Sequence, residues 1–504
     1  METVKVKTIY GTPDSKYLKV YLENSQDLQR FLGHGVWNKA GWVNVENNLI
    51  NQMLLGMYES VDPLPLKFND NLKSYQKADV GRIVAHRNIL NRNPMGLGKT
   101  VEAVAALKEL QIRRALIVVP KPCIAQWIKT FKVWYPAAEV SSDLRADGIV
   151  VTNYEQVAID KNLMYLKTIS WEYLIVDEAH RLKNRKSKRT CAIKQLPAQR
   201  RMAMTGTPVL RRLDDLWSVL NFLDWKYSGL SYWNFVYYFC QVSDTFWGKQ
   251  ITGVTDNSER LELLSNLLSE ISIYNRMEIA QGKIVTEIPL AMEKSQRTLY
   301  DNIRKLVLDE LPEDCSIPNG AVCTMRLRQV TSYPGSIDKN KKGFWGIKFQ
   351  WIRCFAEDHP GTKICIFTKF ETAARALTKF LNDAKITSVS ITGKIDEETR
   401  YINKQRFLKE SDVQCFIGTI DAIGQGFDEL QNVCNVGVFL DKDFSPMINE
   451  QVEERLHRMG QQNVVFIYYL TCERSFDERV GKINISKAND IRRALQDEEK
   501  YHST

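Results

Sequence analysis

The segment NPMGLGKT at residues 93–100 constrains this chain more than any other stretch of its sequence. It has the pattern of a phosphate-binding loop, in which backbone N–H groups surround the phosphates of a nucleotide. The apolar residues that follow predict a helix whose N-terminal dipole faces the anion. The simpler alternative is a chance glycine turn before an amphipathic helix. In the nucleotide-binding interpretation, the contacts are made by Gly96, Leu97, Gly98, Lys99 and Thr100, with Lys99 reaching the β- and γ-phosphates and Thr100 binding Mg²⁺.

An acidic pair, Asp177 and Glu178, follows the apolar run YLIV at residues 173–176, which predicts a buried strand. Hydrolysis of a nucleotide needs one carboxylate at the end of a strand to hold Mg²⁺ and a second one to activate the attacking water. Acidic pairs after strands also occur as ordinary helix N-caps. Because a phosphate-binding loop lies upstream, we interpret Asp177 as a metal ligand beside Thr100 and Glu178 as the general base.

A basic segment, residues 181–189, follows this pair, and no acidic residue occurs between Ala179 and Arg201. A run of positive charge is usually a solvated surface. Here it adjoins the predicted nucleotide site, so contact with a phosphate backbone is equally well supported, with Lys183 and Arg185 as candidates.

Near the C-terminus, Gln451, Arg455 and Arg458 have a spacing that would place them on one face of a helix. Two arginines on one face suit the charge of a γ-phosphate. The alternative is a structural arginine pair bound to Glu453 or Glu454.

Length and composition indicate a soluble globular protein of about three domains. The chain has 504 residues, 44% apolar residues, 26% charged residues and a net charge of +9. Its ten cysteines form no C-x-x-C pair, and no apolar run is long enough to span a bilayer. These features predict a cytoplasmic protein without a structural metal, and a modest charge excess that is compatible with a polyanionic partner.

The chain divides by pattern into five segments. Residues 1–65 predict a small α+β module with strands near 4–9 and 17–21, a helix opened by Ser25, a hairpin around 37–45 and a helix near 49–58. The positive and negative charges of this module cancel, so a nucleic-acid role and simple packing are both open. Residues 66–225 and 286–485 alternate apolar strands with helices, residues 226–285 predict an aromatic-rich helical insertion, and residues 486–504 form a charged tail. The predicted fold is α/β, with two doubly wound parallel sheets whose strands lie near 115–119, 148–152, 173–176, 202–204, 363–367, 389–391, 415–418 and 436–440.

Together, these motifs resemble the Swi/Snf-type branch of superfamily-two helicases and translocases over residues 66–485. The most specific matches are TGTP at 205–208, LDDLWSVLNFL at 213–223 and QVEERLHRMGQ at 451–461. LKSYQ at 72–76, VPKP at 119–122 and VTNYE at 151–155 match further motifs. The resemblance implies two RecA-like lobes that clamp ATP between them and move along a nucleic-acid backbone.

Residue roles follow from the resemblance. It implies that Gln76 contacts adenine and that hydrolysis depends on Lys99, Asp177, Glu178, Gln451, Arg455 and Arg458. Coupling between hydrolysis and nucleic-acid binding would involve His180, Thr205 and Gly426. DNA contacts would be made by Lys121, Asn153, Tyr154, Lys183, Arg185 and Thr419.

The chain departs from the family pattern at three places. Asn93-Pro94 stands where the family usually has an acidic pair, and a bulky Ile423 replaces a small residue before Gly424. Asn275 stands where an arginine is common, which leaves Arg276 as the match. The insertion and the short chain resemble compact bacterial or phage members and the subgroup that anneals branched DNA.

The leading hypothesis is a monomeric, DNA-dependent ATPase that uses ATP and Mg²⁺ to move on duplex, forked or branched DNA. Its task would be to remodel forks or junctions in replication, recombination or repair, alongside the proteins of those processes. The alternatives are a motor that displaces bound proteins without separating strands, a nucleotide-switched DNA-binding scaffold and an RNA helicase. A membrane partner is not expected.

Overall fold

The computed structural model of the chain forms two compact units. The first comprises Met1–Met277 and Lys487–His502, and the second comprises Glu278–Ser486 and Ser503–Thr504. The structure describes residues 4, 6–12, 15–22, 25–35, 42–68, 71–94, 96–145, 147–206, 212–245, 248–275, 281–309, 318–337, 344–423 and 429–495.

A small antiparallel sheet opens the first unit. Its strands are β1 (Val6–Tyr10), β2 (Tyr17–Leu22) and β3 (Trp42–Glu46), with β2 in the centre. Alternate residues of β2 are buried, as expected for a sheet with one face on a core. Helix α1 (Leu49–Leu54) follows, and the Asn48 side chain caps its first turn.

Two elements of this module differ from the sequence-based prediction. The segment Ser25–Arg30 is a 3₁₀ turn and not an α-helix; such turns are typical of short connecting pieces. The predicted hairpin around 37–45 falls partly outside the described residues. Its described part, β3, pairs with β2, and His34 forms one isolated bridge with Val45.

A seven-stranded parallel sheet forms the centre of the first unit, in the order β12-β4-β9-β8-β5-β7-β6. Every residue of β5 and β7 is buried, which confirms the predicted covered parallel sheet. The remaining strands of this unit are β4 (Asn88–Asn91), β5 (Ala115–Val119), β6 (Val140–Ser141), β7 (Ile149–Asn153), β8 (Trp171–Asp177), β9 (Ala198–Met204), β10 (Cys240–Thr245), β11 (Gly248–Val254) and β12 (Ser272–Ile273).

Residues of α2, α3 and α4 share one apolar core with the central sheet, in which the alanine-rich side of α3 packs with residues of β5, β7 and β8. Short 3₁₀ turns occur at Lys121–Cys123 and Ala179–Leu182. The α-helices are α2 (Ser74–Ala85), α3 (Lys99–Glu109), α4 (Ile124–Trp134), α5 (Tyr154–Val157), α6 (Asp160–Leu166), α7 (Lys188–Lys194), α8 (Asp214–Leu223), α9 (Trp225–Ser228), α10 (Tyr232–Phe239) and α11 (Ser258–Ile271).

The predicted insertion is helical only in part. Between α10 and α11, strands β10 and β11 form an antiparallel hairpin, because β-branched residues alternate with polar ones there and favour a strand. The insertion then returns to the central sheet through β12, which pairs with β4. Phe235 and Phe239 are buried, so this part of the aromatic run is core, as predicted.

The second unit contains a six-stranded parallel sheet in the order β13-β18-β17-β14-β16-β15. Its strands are β13 (Lys283–Leu290), β14 (Ile364–Thr368), β15 (Ser388–Ile391), β16 (Cys415–Thr419), β17 (Val436–Phe439) and β18 (Val465–Cys472). Apolar clusters involve both faces of this sheet, with Cys365 and Phe367 of β14 in one cluster and Ile364 and Ile366 in the other.

Eight α-helices accompany this sheet within the described ranges, and 3₁₀ turns occur at Pro334–Ser336 and Leu430–Asn432. Among all helices of the described ranges, none combines the length and the apolar character needed to cross a bilayer. The helices are α12 (Lys294–Asp309), α13 (Pro318–Ser332), α14 (Ile347–Asp358), α15 (Glu371–Asp383), α16 (Glu397–Lys409), α17 (Ile420–Ile423), α18 (Pro446–Glu453) and α19 (Phe476–Leu495).

Lys194 in α7 provides a pH-dependent test of packing in the first unit. Its Nζ donates to Asn221 Oδ1 at 3.0 Å and lies 4.8 Å from the ring centre of Trp217, and burial lowers its pKa to about 8. An unfolded lysine titrates about two units higher. Below about pH 8 both states are protonated, so the folded state carries the full desolvation penalty. Between about pH 8 and 10 only the unfolded state holds the proton, so this group makes stability rise with pH.

We therefore expect Lys194→Met to stabilise the protein near neutral pH by on the order of 1 kcal/mol. The variant should also lack the increase in stability above about pH 8 that Lys194 causes in the wild type. Urea unfolding of the variant and the wild type at both pH values measures the difference. Lys188→Met is the matched control, because Lys188 lies in the same helix and is 65% exposed beside Asp160. An unchanged pH slope in Lys194→Met would contradict the lowered pKa.

Candidate active site

The phosphate-binding loop lies between β4 and α3 in the first unit. Gly96 and Gly98 have φ values of +88° and +92°, which L-residues with a side chain rarely adopt. A Cβ atom at Gly98 would also lie 2.6 Å from Nε2 of Gln76. The backbone conformation therefore favours glycine at this position, and a side chain there would also displace the Gln76 amide.

Side chains from α2 and α3 hold the loop. Tyr75 Oη and Gln76 Nε2 donate to the Leu97 carbonyl at 2.8 and 3.2 Å. Lys99 Nζ donates to the carbonyl of Asn93 at 2.7 Å and to that of the next residue at 3.1 Å. The structure thus places Gln76 against the loop, while its predicted contact with adenine stays a prediction. Thr100 follows Lys99 in the first turn of α3, and Met95 lies outside the described residues.

Buried amides and carboxyls lie behind the loop. Asn91 Nδ2 donates to Glu102 Oε2 at 2.8 Å, and Asn93 Nδ2 donates to Asp79 Oδ2 at 2.8 Å and to Glu102 Oε2 at 3.2 Å. Burial, together with the charge of Asp79, raises the pKa of Glu102 to about 8, and burial raises the pKa of Asp79. The two carboxyls therefore hold one proton between them near neutral pH.

The acidic pair lies at the end of β8, at the same level of the sheet as the end of β4. Asp177 is opposite Met204 of β9, which is in turn opposite Asn91. Trp127 Nε1 donates to Asp177 Oδ2 at 3.0 Å. Burial and the neighbouring Glu178 raise the pKa of Asp177 to about 6, while the Trp127 hydrogen bond and the Lys99 ammonium oppose this rise.

Glu178 leaves the strand in the left-handed region, with φ of +50°. Such a conformation is uncommon for a residue with a side chain and concentrates at functional sites. Its Oε2 lies 3.2 Å from Nδ1 of His180, and the same nitrogen lies 3.2 Å from Oγ1 of Thr205. The fold thus joins the acidic pair to the loop after β9 through His180, while the coupling role of His180 and Thr205 stays a prediction. Thr207 and Pro208 of that loop lie outside the described residues.

The motif near the C-terminus lies in the second unit and differs from the predicted helix. Gln451 is buried in α18, but this helix ends at Glu453. Arg455 and Arg458 follow in tight turns, so the prediction of one shared helical face is wrong. At the start of the turn, the Arg455 amide donates to the carbonyl of Val452, which is three residues earlier and not four as in an α-helix.

Glu453, which was one alternative partner for these arginines, has other contacts. Lys283 Nζ donates to its carboxylate at 2.6 Å, and Tyr469 Oη donates to it as well. The roles of Gln451, Arg455 and Arg458 in hydrolysis stay predictions.

The motif after β16 is described only as far as Ile423. Thr419 is buried at the end of β16, and the Ile423 side chain packs so closely on Gly418 that a Cβ there would meet it at 2.3 Å. The departure at position 423 is therefore accommodated inside the core. Gly426, the predicted coupling glycine, lies outside the described residues.

Two predicted DNA contacts in the first unit have structural roles. Tyr154 is fully buried, and its Oη donates to the carbonyls of Asp177 and Glu178. A direct nucleic-acid contact by Tyr154 is therefore wrong for this structure, since the ring has no exposed surface. Asn153 is also buried, and its Oδ1 caps α5 by accepting from the Gln156 amide at 2.9 Å.

The other candidates of this unit have exposed positions or face a cavity. Lys121 is exposed at the start of the 3₁₀ turn after β5. Lys183 and Arg185 line a cavity of about 520 Å³, to which Lys186, Arg212 and Lys487 also contribute.

The acidic wall of this cavity is engaged by its neighbours. Arg212 Nε lies 3.0 Å from Asp214 Oδ1, and Tyr232 Oη donates to Asp214 Oδ2 at 2.9 Å. The Arg185 guanidinium lies 4.2 Å from the Tyr232 ring centre. The cavity therefore combines several cations with an aromatic wall, although phosphate contact by Lys183 and Arg185 stays a prediction.

Comparison with known proteins identifies the family. Residues 82–335, a little more than half of the chain, match the family model described as SNF2-related domain. The chain belongs to the SNF2-related family. Residues 347–460 of this SNF2-family chain match the helicase conserved C-terminal domain. The resemblance inferred from the motifs is thereby confirmed.

Individual relatives of the SNF2-family chain are distant in sequence. It is 25% identical over 462 residues to the ISWI chromatin-remodeling complex ATPase ISW2 of Saccharomyces cerevisiae, covering 81% of this chain and 39% of that protein. It is 25% identical over 465 residues to the uncharacterized ATP-dependent helicase YqhH of Bacillus subtilis, covering 85% and 78%. The chain spans about two fifths of the length of the first curated relatives it matches. A solved Sulfolobus solfataricus SWI2/SNF2 ATPase core in complex with dsDNA is 22% identical, with a TM-score of 0.39 and coverage of 86% and 96%.

Sequence analysis missed several side chains of this SNF2-family site. Trp127, Asp79, Asn91 and Glu102 bind the loop or the acidic pair from inside the core. One signal was available, because a carboxylate in an alanine-rich apolar helix, such as Glu102, must find hydrogen-bond donors when buried. The identity of those donors depends on residues far away in sequence.

Tyr154 allows a test of the corrected role. Tyr154→Phe removes the donor to two buried backbone carbonyls, which should lower the free energy of unfolding by about 1–3 kcal/mol. The affinity for duplex DNA should stay unchanged, because the hydroxyl lies inside the protein. Urea unfolding and fluorescence anisotropy with a labelled duplex measure the two quantities. A loss of DNA affinity at unchanged stability would restore the original prediction.

Proposed function

We propose that this SNF2-family chain is a DNA-dependent ATPase that uses ATP hydrolysis to move along duplex or branched DNA. The observation that carries the proposal is the placement of the phosphate-binding loop and the acidic pair at one edge of one parallel sheet. Asn91 of β4 and Asp177 of β8 both pair with Met204 of β9, the strand between them. The loop segment begins at Asn93, two residues after Asn91. Ligand sites of doubly wound sheets lie at this edge.

The residues of the first unit suit phosphate binding. Lys99 begins α3, so a phosphate bound at the helix N-terminus would lie near its ammonium as well as near the first backbone amides. Thr100 and Asp177 offer a hydroxyl and a carboxylate oxygen, which are the ligands that Mg²⁺ prefers. When bound, Mg²⁺ would neutralise phosphate charge at this place.

Glu178 is the group we assign to the attacking water. Its carboxylate lies beside His180 at the end of β8, where its backbone has the left-handed conformation. In the proposed reaction Glu178 orients the water and accepts its proton. Positive charge for the γ-phosphate would come from Arg455 and Arg458, as the motif predicts.

Positive charge is concentrated on the first unit, and this supports nucleic acid as the partner. Lys183, Arg185, Lys186 and Arg212 lie around one cavity, where the nearby Asp214 already binds Arg212. A phosphate backbone is the polyanion that such a surface fits, and backbone contacts carry no sequence preference.

The finer proposal is that the motor remodels forks or junctions. Displacement of bound proteins is the competing outcome, and the name of the yeast relative belongs to a chromatin-remodeling ATPase.

ATP hydrolysis at steady state tests this proposal directly. We expect duplex or branched DNA to stimulate hydrolysis by at least tenfold over single strands, RNA or no nucleic acid, and Lys99→Ala to abolish it. Lys108→Ala is the matched control, because Lys108 lies in the same helix and its Nζ donates to the exposed Phe68 carbonyl at 2.7 Å. Strand separation on a naked fork, compared with removal of a protein block from duplex DNA, distinguishes the two tasks. A flat response to every nucleic acid would contradict a DNA motor.

The basic cavity gives a second prediction. Lys183→Glu combined with Arg185→Glu should weaken duplex binding by at least tenfold and reduce the slope of log K against log salt by about two, since two phosphate contacts are lost. Lys188→Glu is the control, because Lys188 is equally part of the basic segment but pairs with Asp160. The double variant changes twice as much charge as the control, so a loss of binding free energy only about twice that of the control would show that net charge alone matters and that the cavity is no binding site.

A further inference from the structure

The register of the central sheet brings the end of the insertion to the phosphate-binding loop. Strand β12 runs parallel to β4, and the pairing ends with Ile273 opposite Asn91. The contact continues beyond the strands, because the Arg92 amide donates to the Ile273 carbonyl at 3.0 Å. The Arg92 guanidinium also lies 4.9 Å from the ring centre of Tyr274. One position further along each segment are Asn275 and the first residue of the loop motif, Asn93.

Asn275 and Asn93 form a direct amide contact. The backbone N–H of Asn275 donates to Asn93 Oδ1 at 2.7 Å, and Asn275 Nδ2 lies 3.2 Å from the same oxygen. Asn275 Nδ2 also donates to Asp79 Oδ2 at 2.5 Å. The other end of the Asn93 amide donates to Asp79 and Glu102. The Asn93 side chain is thus held on both sides, and the backbone N–H of Asn93 donates to Asn91 Oδ1 at 3.1 Å.

The same residue determines where the lysine of the loop lies. The Asn93 backbone carbonyl accepts from Lys99 Nζ at 2.7 Å. Asn93 itself is fully buried, so its carbonyl cannot move unless its side-chain contacts rearrange. A chain of contacts therefore runs from Asn275, through Asn93, to the ammonium group of Lys99.

We propose that Asn93 and Asn275 act as one neutral amide pair that positions the phosphate-binding loop, with Asn275 as a positioning residue for the Lys99 ammonium. The inference rests on the proposed function, since its consequence is nucleotide affinity. Sequence analysis treated positions 93 and 275 as two separate departures from the family pattern. Because the two side chains are in contact, the charge that one position tolerates depends on the residue at the other position. The two departures are therefore coupled.

Charge counting gives the direction of this dependence. The site behind the loop already holds two carboxyls, Asp79 and Glu102, and a third acidic group at position 93 would face both of them. Like charges in a buried site repel strongly unless a cation compensates them. Position 275 touches both Asn93 and Asp79, so a cationic side chain there is placed to compensate an acidic one at position 93.

A double-mutant cycle on the full chain tests the pair, with Asn93→Asp, Asn275→Arg and the combined variant. The probe is a fluorescent ATP analogue with Mg²⁺, titrated to obtain Kd. We expect Asn93→Asp to weaken binding by at least tenfold and the combined variant to return to within about threefold of the wild type. The control is Asn403→Asp, which places the same new charge in the second unit, where the Asn403 amide donates to Ser390. It should leave Kd unchanged.

Two further measurements keep the test decisive if Asn93→Asp folds poorly. Thermal unfolding without nucleotide reports whether the pair itself is coupled. Asn275→Ala removes a side chain that is only half-buried, so the protein should fold, and we expect affinity to fall by about fivefold with kcat at saturating ATP unchanged. Asn275→Gln, which keeps the amide, should recover part of that affinity.

The outcomes separate the inference from the function on which it rests. Additive effects of the two substitutions on Kd, or wild-type affinity in Asn275→Ala, would overturn the inference while the wild type still binds nucleotide. If the wild-type chain binds no nucleotide, the proposed function fails and the inference fails with it. Coupling in thermal unfolding but not in Kd would assign the pair to stability alone, which also overturns the positioning role.

Discussion

Parallel strand pairing in the first unit determines where the phosphate-binding loop and the acidic pair lie. Ile273, Asn91, Met204 and Asp177 occupy one level across four neighbouring strands. Because the strands are parallel, each chain leaves the sheet at this same edge. The phosphate-binding loop, the acidic pair, the Thr205 loop and the Asn275 segment follow directly from these four ends. One slip of register would move each side chain to the opposite face of the sheet and separate the groups.

Burial of charge is the second constraint, and the site meets it with hydrogen bonds from neutral groups. Asp177 accepts from the Trp127 indole, while Asp79 and Glu102 accept from asparagine amides. Unpaired carboxylates at such depth would be very unfavourable. Protonation and hydrogen-bond donors together offset this desolvation cost. Several hydrogen bonds to each acid hold this arrangement in place. Rigid supporting contacts are what a preorganised site requires.

Several elements could be predicted from the sequence because their signals are local. Strands β5, β7 and β8 are continuous apolar runs, and glycines at positions 96 and 98 mark a turn that other residues cannot form. Asp177 and Glu178 were identified for the same reason, since an acidic pair after an apolar strand is a short-range pattern. The errors lie where local patterns compete. The hairpin of β10 and β11 was hidden in an aromatic-rich segment, and α18 ends before Arg455 because a three-residue turn replaces the helical bond.

The sequence by itself determined the family, the α/β class, the phosphate-binding loop and the acidic pair, because each rests on residues that are adjacent along the chain. Tertiary structure alone decided which side chains support them. Tyr154 was predicted to face a nucleic acid, yet it is buried under the acidic pair, since the turn after β7 points it inward. Asn93 and Asn275 show the same division most clearly. They are separated by most of the first unit in sequence, and only the parallel register of β4 and β12 brings their amides within 3.2 Å.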